Sequence, residues 1–334
     1  MPKALCLFRP KARMTAMTLP LARYRFTAHM QAPLRLPDYA GSLLRGQFGA
    51  ALRGVACMTR QPTCGDCPLR ATCPYTRVFE APPPPAHALQ AFSAIPNAYV
   101  IEPPAMGVTD LQAGDALQFH MVLAGDAIAQ LALIVFAWQR ALAQGLTRAR
   151  SPAQLQAVDW IDANGAAHPV WRHDAPVLRD HPASLALPPA PTRWPADGIA
   201  LHIHTPLRLQ HQGQPLRPAQ LTPRALVAAV ARRVALVLEF HAQQPQWGAQ
   251  VPDVARLAET LADQRDLRWH DWTRYSSRQQ QEMTLGGVLG RWSLRGHPAT
   301  LAALWPWLWL GQWLHVGKNA TMGMGAYALE GVPT

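Results

Sequence analysis

Ile199–Leu209 reads IALHIHTPLRL. Apolar and polar residues alternate through much of it, the period of a strand with one buried face. Downstream, Thr222 stands just before Pro223, a capping residue followed by the residue favoured at the first helical position, and a helical pattern continues to about His241. Asp271–Gln280 and Leu285–Leu294 read as a pair of strands, and Pro298–Leu314 reads as an apolar helix. A glycine-rich turn then leads to a last strand at Ala326–Glu330. The order β-α-β-β-α-β is the ferredoxin-like arrangement.

Upstream, a similar order recurs. Leu21–Met30 (LARYRFTAHM) reads as a strand, and Pro33 and Pro37 punctuate the loop after it. Ala40–Ala56 reads as an amphipathic helix. Leu43, Leu44, Phe48, Leu52 and Val55 can face a core, with Ser42, Arg45 and Arg53 on or near the polar side. Asp115–Leu123 suggests a strand, Asp126–Gln144 a helix and Leu155–Ile161 another strand. Pro82–Pro85 is too proline-dense for a helix, and Pro176–Pro195 is the best linker. The halves share no strong repeat, so the duplication rests on element order. The expected fold is α+β: two tandem ferredoxin-like (RRM-like) domains, residues 1–190 and 197–334, with a cysteine-rich metal-binding insertion in the first.

Charged residues make up 15% of the 334, yet the net charge is +11, and lysine occurs only at Lys3, Lys11 and Lys318. An arginine excess of this kind suits a polyanionic partner, because the planar guanidinium donates in pairs to phosphate. Biased genome composition is the bland alternative. The apolar runs Ala127–Trp138 and Leu301–Leu314 fall short of the roughly 20 residues that span a bilayer, and no secretory signal is evident. A cytoplasmic protein without membrane association is expected.

Cys57, Cys64, Cys67 and Cys73 are spaced C-x6-C-x2-C-x5-C, with Cys6 far off. The central pair can bite one metal and the outer two complete a tetrahedron. Structural zinc is the expected occupant and a [4Fe–4S] cluster the rival; local disulfides or free thiols are the alternative.

Two carboxyl-terminal segments carry candidate binding chemistry. In WHDWTRYSSRQQ (Trp269–Gln280), a strand would point Trp272, Arg274, Ser276 and Arg278 to one face, beside Tyr275. Such a face suits base stacking and phosphate contact; equally, the Trp belongs in a core and the Arg in water. In LHVGKNATMGMGAYAL (Leu314–Leu329), Gly317, Gly323 and Gly325 free the backbone to line a phosphate, with Lys318 adding charge. The alternative is an ordinary helix-to-strand connection.

The run DWTRYSSRQQQEMTLGGVLG (Asp271–Gly290), then Leu314–Leu329, with the opening HIHTPLRL (His202–Leu209), resembles the carboxyl-terminal domain of CRISPR-associated pre-crRNA-processing endoribonucleases of the RAMP superfamily. GSLLRGQFGAALRGVAC and CPYTRVFE (Cys73–Glu80) are similar to the amino half of a cysteine-containing branch of that family. The resemblance implies two ferredoxin-like domains and binding of CRISPR repeat RNA. It implies cleavage without a catalytic metal, by ribose 2′-hydroxyl attack that leaves a 2′,3′-cyclic phosphate. It points to the first strand and first helix for catalysis, hence His29 and Tyr39, with Arg45 adding charge; His315, just before Gly317, is the other candidate. Some members place a histidine after the helix, where this chain has cysteines. A non-catalytic RNA-binding subunit of a CRISPR effector complex is the second reading. A metal-dependent nuclease is disfavoured, because the 20 acidic residues are scattered.

Overall fold

The computed structural model describes residues 17–82, 86–87, 95–276 and 281–331; the side chains of 274–276 and 281–283 are outside that description. The first domain is built on β1 (Leu21–Met30), β2 (Tyr99–Glu102), β3 (Ala116–Ala124), β4 (Ala153–Ile161) and β5 (Ala167–Arg172). They form one antiparallel sheet in the order β2-β3-β1-β4-β5. Helices α1 (Gly41–Ala56) and α3 (Leu131–Gln144) cover one face, and the short α2 (Pro74–Phe79) packs beside α1. The order of the first four strands is the ferredoxin-like one, with β5 added by a hairpin.

The second domain repeats the plan. β6 (Ile199–Leu207), β7 (Ala262–Ser276), β8 (Gln281–Arg295) and β9 (Tyr327–Glu330) lie in the order β7-β8-β6-β9, all antiparallel. Behind them pack α4 (Pro223–Ala242), α5 (Gln246–Leu257) and α6 (Pro298–Leu314). Thr222 caps α4 by accepting the Ala225 N–H at 3.1 Å. β7 and β8 are longer than expected from sequence. Ala262–Trp269 is rich in Asp and Arg, and both its faces are largely solvated, so its strand period is hidden.

Strand alternation decides what faces where. Along β1, Tyr24, Phe26 and Ala28 are buried, whereas Arg23, Arg25, Thr27 and His29 share the opposite, partly open face. Phe26 and Phe119 stack at 5.3 Å and Trp138 of α3 lies 4.4 Å from Phe119, an aromatic core under the sheet. Gly125–Gln144 is long and apolar enough by composition to be a membrane-span candidate. Its Leu131–Gln144 portion is α3, whose Ile134, Trp138 and Leu142 are fully buried in this core.

The domains touch directly. The His241 Nε2–H of α4 donates to the Pro96 carbonyl at 2.7 Å. The Tyr39 hydroxyl, just before α1, donates to the Met322 carbonyl at 2.8 Å.

Candidate nucleic-acid interface

A cleft of about 1060 Å³ opens where α1 and the approach to β2 meet α4, the end of β6 and the glycine-rich connection. Its walls carry Arg45, Arg208, Arg224, Arg232, Arg233 and Lys318, with no carboxylate among the lining residues. Arg224 pairs with Glu259 at 2.6 Å. The other five form no salt bridge among the described residues. Unpaired guanidiniums converging on a concave surface are what a phosphodiester backbone needs.

The cleft has a simple local origin. On α4, Ala225, Ala228, Ala229 and Arg232 fall at i, i+3, i+4 and i+7 and all line it. Small residues leave the room and the arginine supplies the charge. Arg233, one position on, is half-buried, and its Nε–H donates to the Leu314 carbonyl at 2.6 Å. Burial pushes its pKa down to about 10, so it stays charged at neutral pH. Sequence reasoning missed Arg208, Arg224, Arg232 and Arg233; the alanine–arginine stripe was the available signal.

The glycine-rich connection forms one wall through Gly317–Met322, with Lys318 exposed. Gly317 and Lys318 therefore stand at the cleft. Gly323 and Gly325 do not: both are buried. Gly323 N–H donates to Ala320 O at 2.9 Å and Gly325 N–H to Pro206 O at 3.1 Å, so neither is free for a phosphate. Their role is architectural. Both have positive φ, and a Cβ on Gly325 would sit 1.8 Å from the Val316 carbonyl oxygen.

Other candidates sit as follows. Arg45 lies in the cleft, its guanidinium 4.4 Å over the Phe79 ring. Arg53 is spent elsewhere, donating from Nη2 to the carbonyls of Gln61 and Pro62. Trp272 is not on an open stacking surface: it is buried against Tyr39 at 4.7 Å, in a cluster with Leu285, Met322 and Met324. Arg274 and Tyr275 belong to β7 by backbone pairing with Met283 and Glu282, and their side chains lie outside the described set. Arg278 lies outside the described residues altogether.

The structure does not bring the three catalytic candidates together. Tyr39 is buried, burial raises its hydroxyl pKa far above the usual range, and its proton is held by Met322 O. His29 is exposed at the far end of β1 from Arg23, about 20 Å along the strand at 3.4 Å per residue. His315 is buried between the domains, and its Nε2–H donates to Glu102 Oε1 at 3.2 Å. The same oxygen takes Arg23 Nη2 at 2.5 Å, and Arg23 also lies 4.9 Å over the Trp313 ring. Burial opposes ionisation of Glu102, but Arg23 and His315 outweigh it and hold the carboxyl well below the usual range. Around this seam, burial lowers the pKa of both His120 and His204. The cleft wall carries its own imidazole, His211, on a short hairpin after β6.

The cysteines line a second, smaller cavity of about 160 Å³ between the ends of α1 and α2. All four are free thiols. Among the described residues no three ligand side chains already converge closely enough to hold a metal ion.

Paired ferredoxin-like domains thus flank an arginine-lined cleft. Residues 201–327 match the family of CRISPR-associated endoribonuclease Cas6, and residues 19–183 match a family described as an N-terminal domain. The second domain is thus similar to the Cas6 CRISPR-associated endoribonucleases. No curated protein matches it by sequence. Among solved structures, a Cas6 product complex has 18% identity and a TM-score of 0.57, covering 92% of this chain and 99% of that one. Thermus thermophilus Cas6 has 16% identity and a TM-score of 0.53, covering 94% and 100%. A partial Cas6-RT-Cas1–Cas2 complex has 15% identity and a TM-score of 0.53, covering 93% and 46%. At these identities the likeness is one of fold.

Proposed function

We propose that the protein binds CRISPR repeat RNA in the arginine cleft and cuts the precursor transcript into crRNAs. The observation that carries this is the acid-free wall of six cations beside the glycine-rich connection, in a chain whose residues 201–327 match the Cas6 family. Cleavage proceeds by attack of a ribose 2′-hydroxyl on the adjacent phosphorus. The 5′ oxygen leaves, and a 2′,3′-cyclic phosphate and a 5′-hydroxyl remain. Only proton transfers and charge stabilisation are required, so no catalytic metal is needed. Arg45 and Lys318, which line the cleft, supply the positive charge that stabilises the phosphorane. Tyr39 acts as a positioning residue that ties α1 to the glycine-rich connection. Histidine chemistry suits the proton transfers. Of the histidines, His211 lines the cleft, His29 is exposed at a distance from it, and His315 is engaged with Glu102.

The second reading is a non-catalytic RNA-binding subunit. It is favoured by one observation: neither His29 nor His315 presents a ring to the cleft. Single-turnover cleavage of repeat RNA in EDTA separates the two. Cleavage that persists in EDTA, and slows about 10²–10⁴-fold in one of His29→Ala, His211→Ala or His315→Ala with binding retained, establishes the enzyme and its acid–base group. Tight binding with no cleavage establishes the subunit.

A further inference from the structure

The segment Cys57–Cys73 is a long connection with little to hold it. Loops beyond about 12–15 residues without regular structure are uncommon in compact domains unless something orders them. Here most side chains between the cysteines point to solvent, including Met58 at 85% exposure and Leu69 at 37%. The sulfurs are the exception. All four cysteines are half-buried, none is in a disulfide, and together they ring one cavity of about 160 Å³. Hydrogen-bond donors are already turned toward them: Arg60 N–H reaches Cys57 Sγ at 3.3 Å, and Thr59 Oγ1 stands 3.4 Å from Cys67 Sγ.

We propose that Cys57, Cys64, Cys67 and Cys73 close on a single structural zinc ion, and that this ion holds Arg45 in place in the arginine cleft. A tetrahedral zinc needs four sulfurs at about 2.3 Å. The thiols surround the cavity without meeting at one point, and converging on the ion requires their side chains to turn about the Cα–Cβ bonds between staggered rotamers. The spacing also fits a closed site, with a tight central pair and one ligand from each flanking helix end. Cys57 directly follows α1 and Cys73 directly precedes α2.

The link to the cleft runs through α2. Its Phe79 stacks on Tyr75 and Tyr99, and the Arg45 guanidinium lies over the Phe79 ring at 4.4 Å. A loop fixed at both ends by one ion fixes α2 against α1, and with it the platform under Arg45. This second half of the inference rests on the proposed RNA-binding function; the ion itself does not.

The test uses the full chain purified without added metal. Elemental analysis is expected to give one zinc per chain, resistant to EDTA at neutral pH. Cobalt(II) exchange is expected to give the intense thiolate charge-transfer bands of a tetrahedral site. Cys64→Ser/Cys67→Ser is expected to hold no zinc and to lose as much affinity for repeat RNA as Arg45→Ala, with the triple variant no worse than either. Wild type stripped with a thiol-directed mercurial and a chelator gives the same comparison without a substitution. A chain that stays metal-free after zinc incubation, with four freely reactive thiols, overturns the site. Iron with sulfide and a brown chromophore overturns the zinc assignment. Stripped protein that binds RNA like wild type overturns the coupling to Arg45. A zinc-loaded wild type that binds no RNA sinks the coupling and the RNA-binding reading together, while the ion assignment stands.

Discussion

Helix α1 is gripped at its two ends by loops of opposite character. At its start, the glycine-rich connection presses in so closely that a Cβ on Gly41 would lie 1.9 Å from the Met322 carbonyl oxygen. At its end, the cysteine loop is reached through side chains, with Arg53 donating to Gln61 O and Pro62 O. The first loop is buried from Met322 to Ala326, and its N–H groups are spent inside the protein. The second is largely exposed, and a Cβ on its Gly65 would meet nothing within 4 Å. The difference separates two ways of holding an irregular segment. One is moulded by backbone walls and cannot be altered cheaply. The other has no walls of its own and depends on the chemistry of a few side chains.

The largest expected effect tests that contrast. Gly325→Ala forces a side chain at φ 72 against Val316 O, and should cost about 3 kcal/mol or more or prevent folding. Gly65→Ala should stay within about 0.5 kcal/mol of wild type. Urea denaturation measures both, and equal small losses would erase the distinction.

Behind the glycine-rich connection, Glu102 is clamped by Arg23 and His315. Glu102→Gln leaves the half-buried Arg23 guanidinium and the buried His315 ring without their anionic partner and should cost about 3 kcal/mol at neutral pH. Because the folded carboxyl is held below its ordinary value, its contribution is complete above the unfolded value of about 4.3. It is lost as pH falls below that toward the folded value. The variant and wild type should therefore converge in acid; a stability gap independent of pH would show that packing, not charge, holds the seam.

Buried imidazoles give a milder acid response. Burial lowers His241 and His120, so below about pH 6.5 the unfolded chain binds more protons than the folded one, and stability falls with pH. Each such group contributes a slope of at most about 1.4 kcal/mol per pH unit. His241→Gln should flatten the loss between pH 7.5 and 5.5, as read by denaturation at the two values. An unchanged slope would remove His241 from the account.

The smallest effect extends the loop comparison to RNA. Lys318 projects from the glycine-rich connection into the cleft, whereas Arg60 is in the cysteine loop outside the cleft lining. Lys318→Ala should lower the slope of log affinity against log salt by about 1, and Arg60→Ala should leave it unchanged. Fluorescence titration with repeat RNA at several salt concentrations measures both, and a reversed result would move the RNA path onto the cysteine loop.

Sequence by itself determined most of the principal elements of both halves, because helical and strand periods are local and Thr222–Pro223 marks its own helix start. It determined the cysteine cluster and the excess of arginine. It did not reveal the short β2, whose four residues are too few to show a period, or the polar start of β7. Tertiary structure alone decided which residues meet. Glu102 collects Arg23 from 79 positions away and His315 from 213. Trp272 turns inward against Tyr39, and Arg45 reaches the same cleft as Arg232. No local pattern encodes such pairings. They arise when two separately legible domains bury a common seam, where desolvation makes each polar group find its partner across the interface.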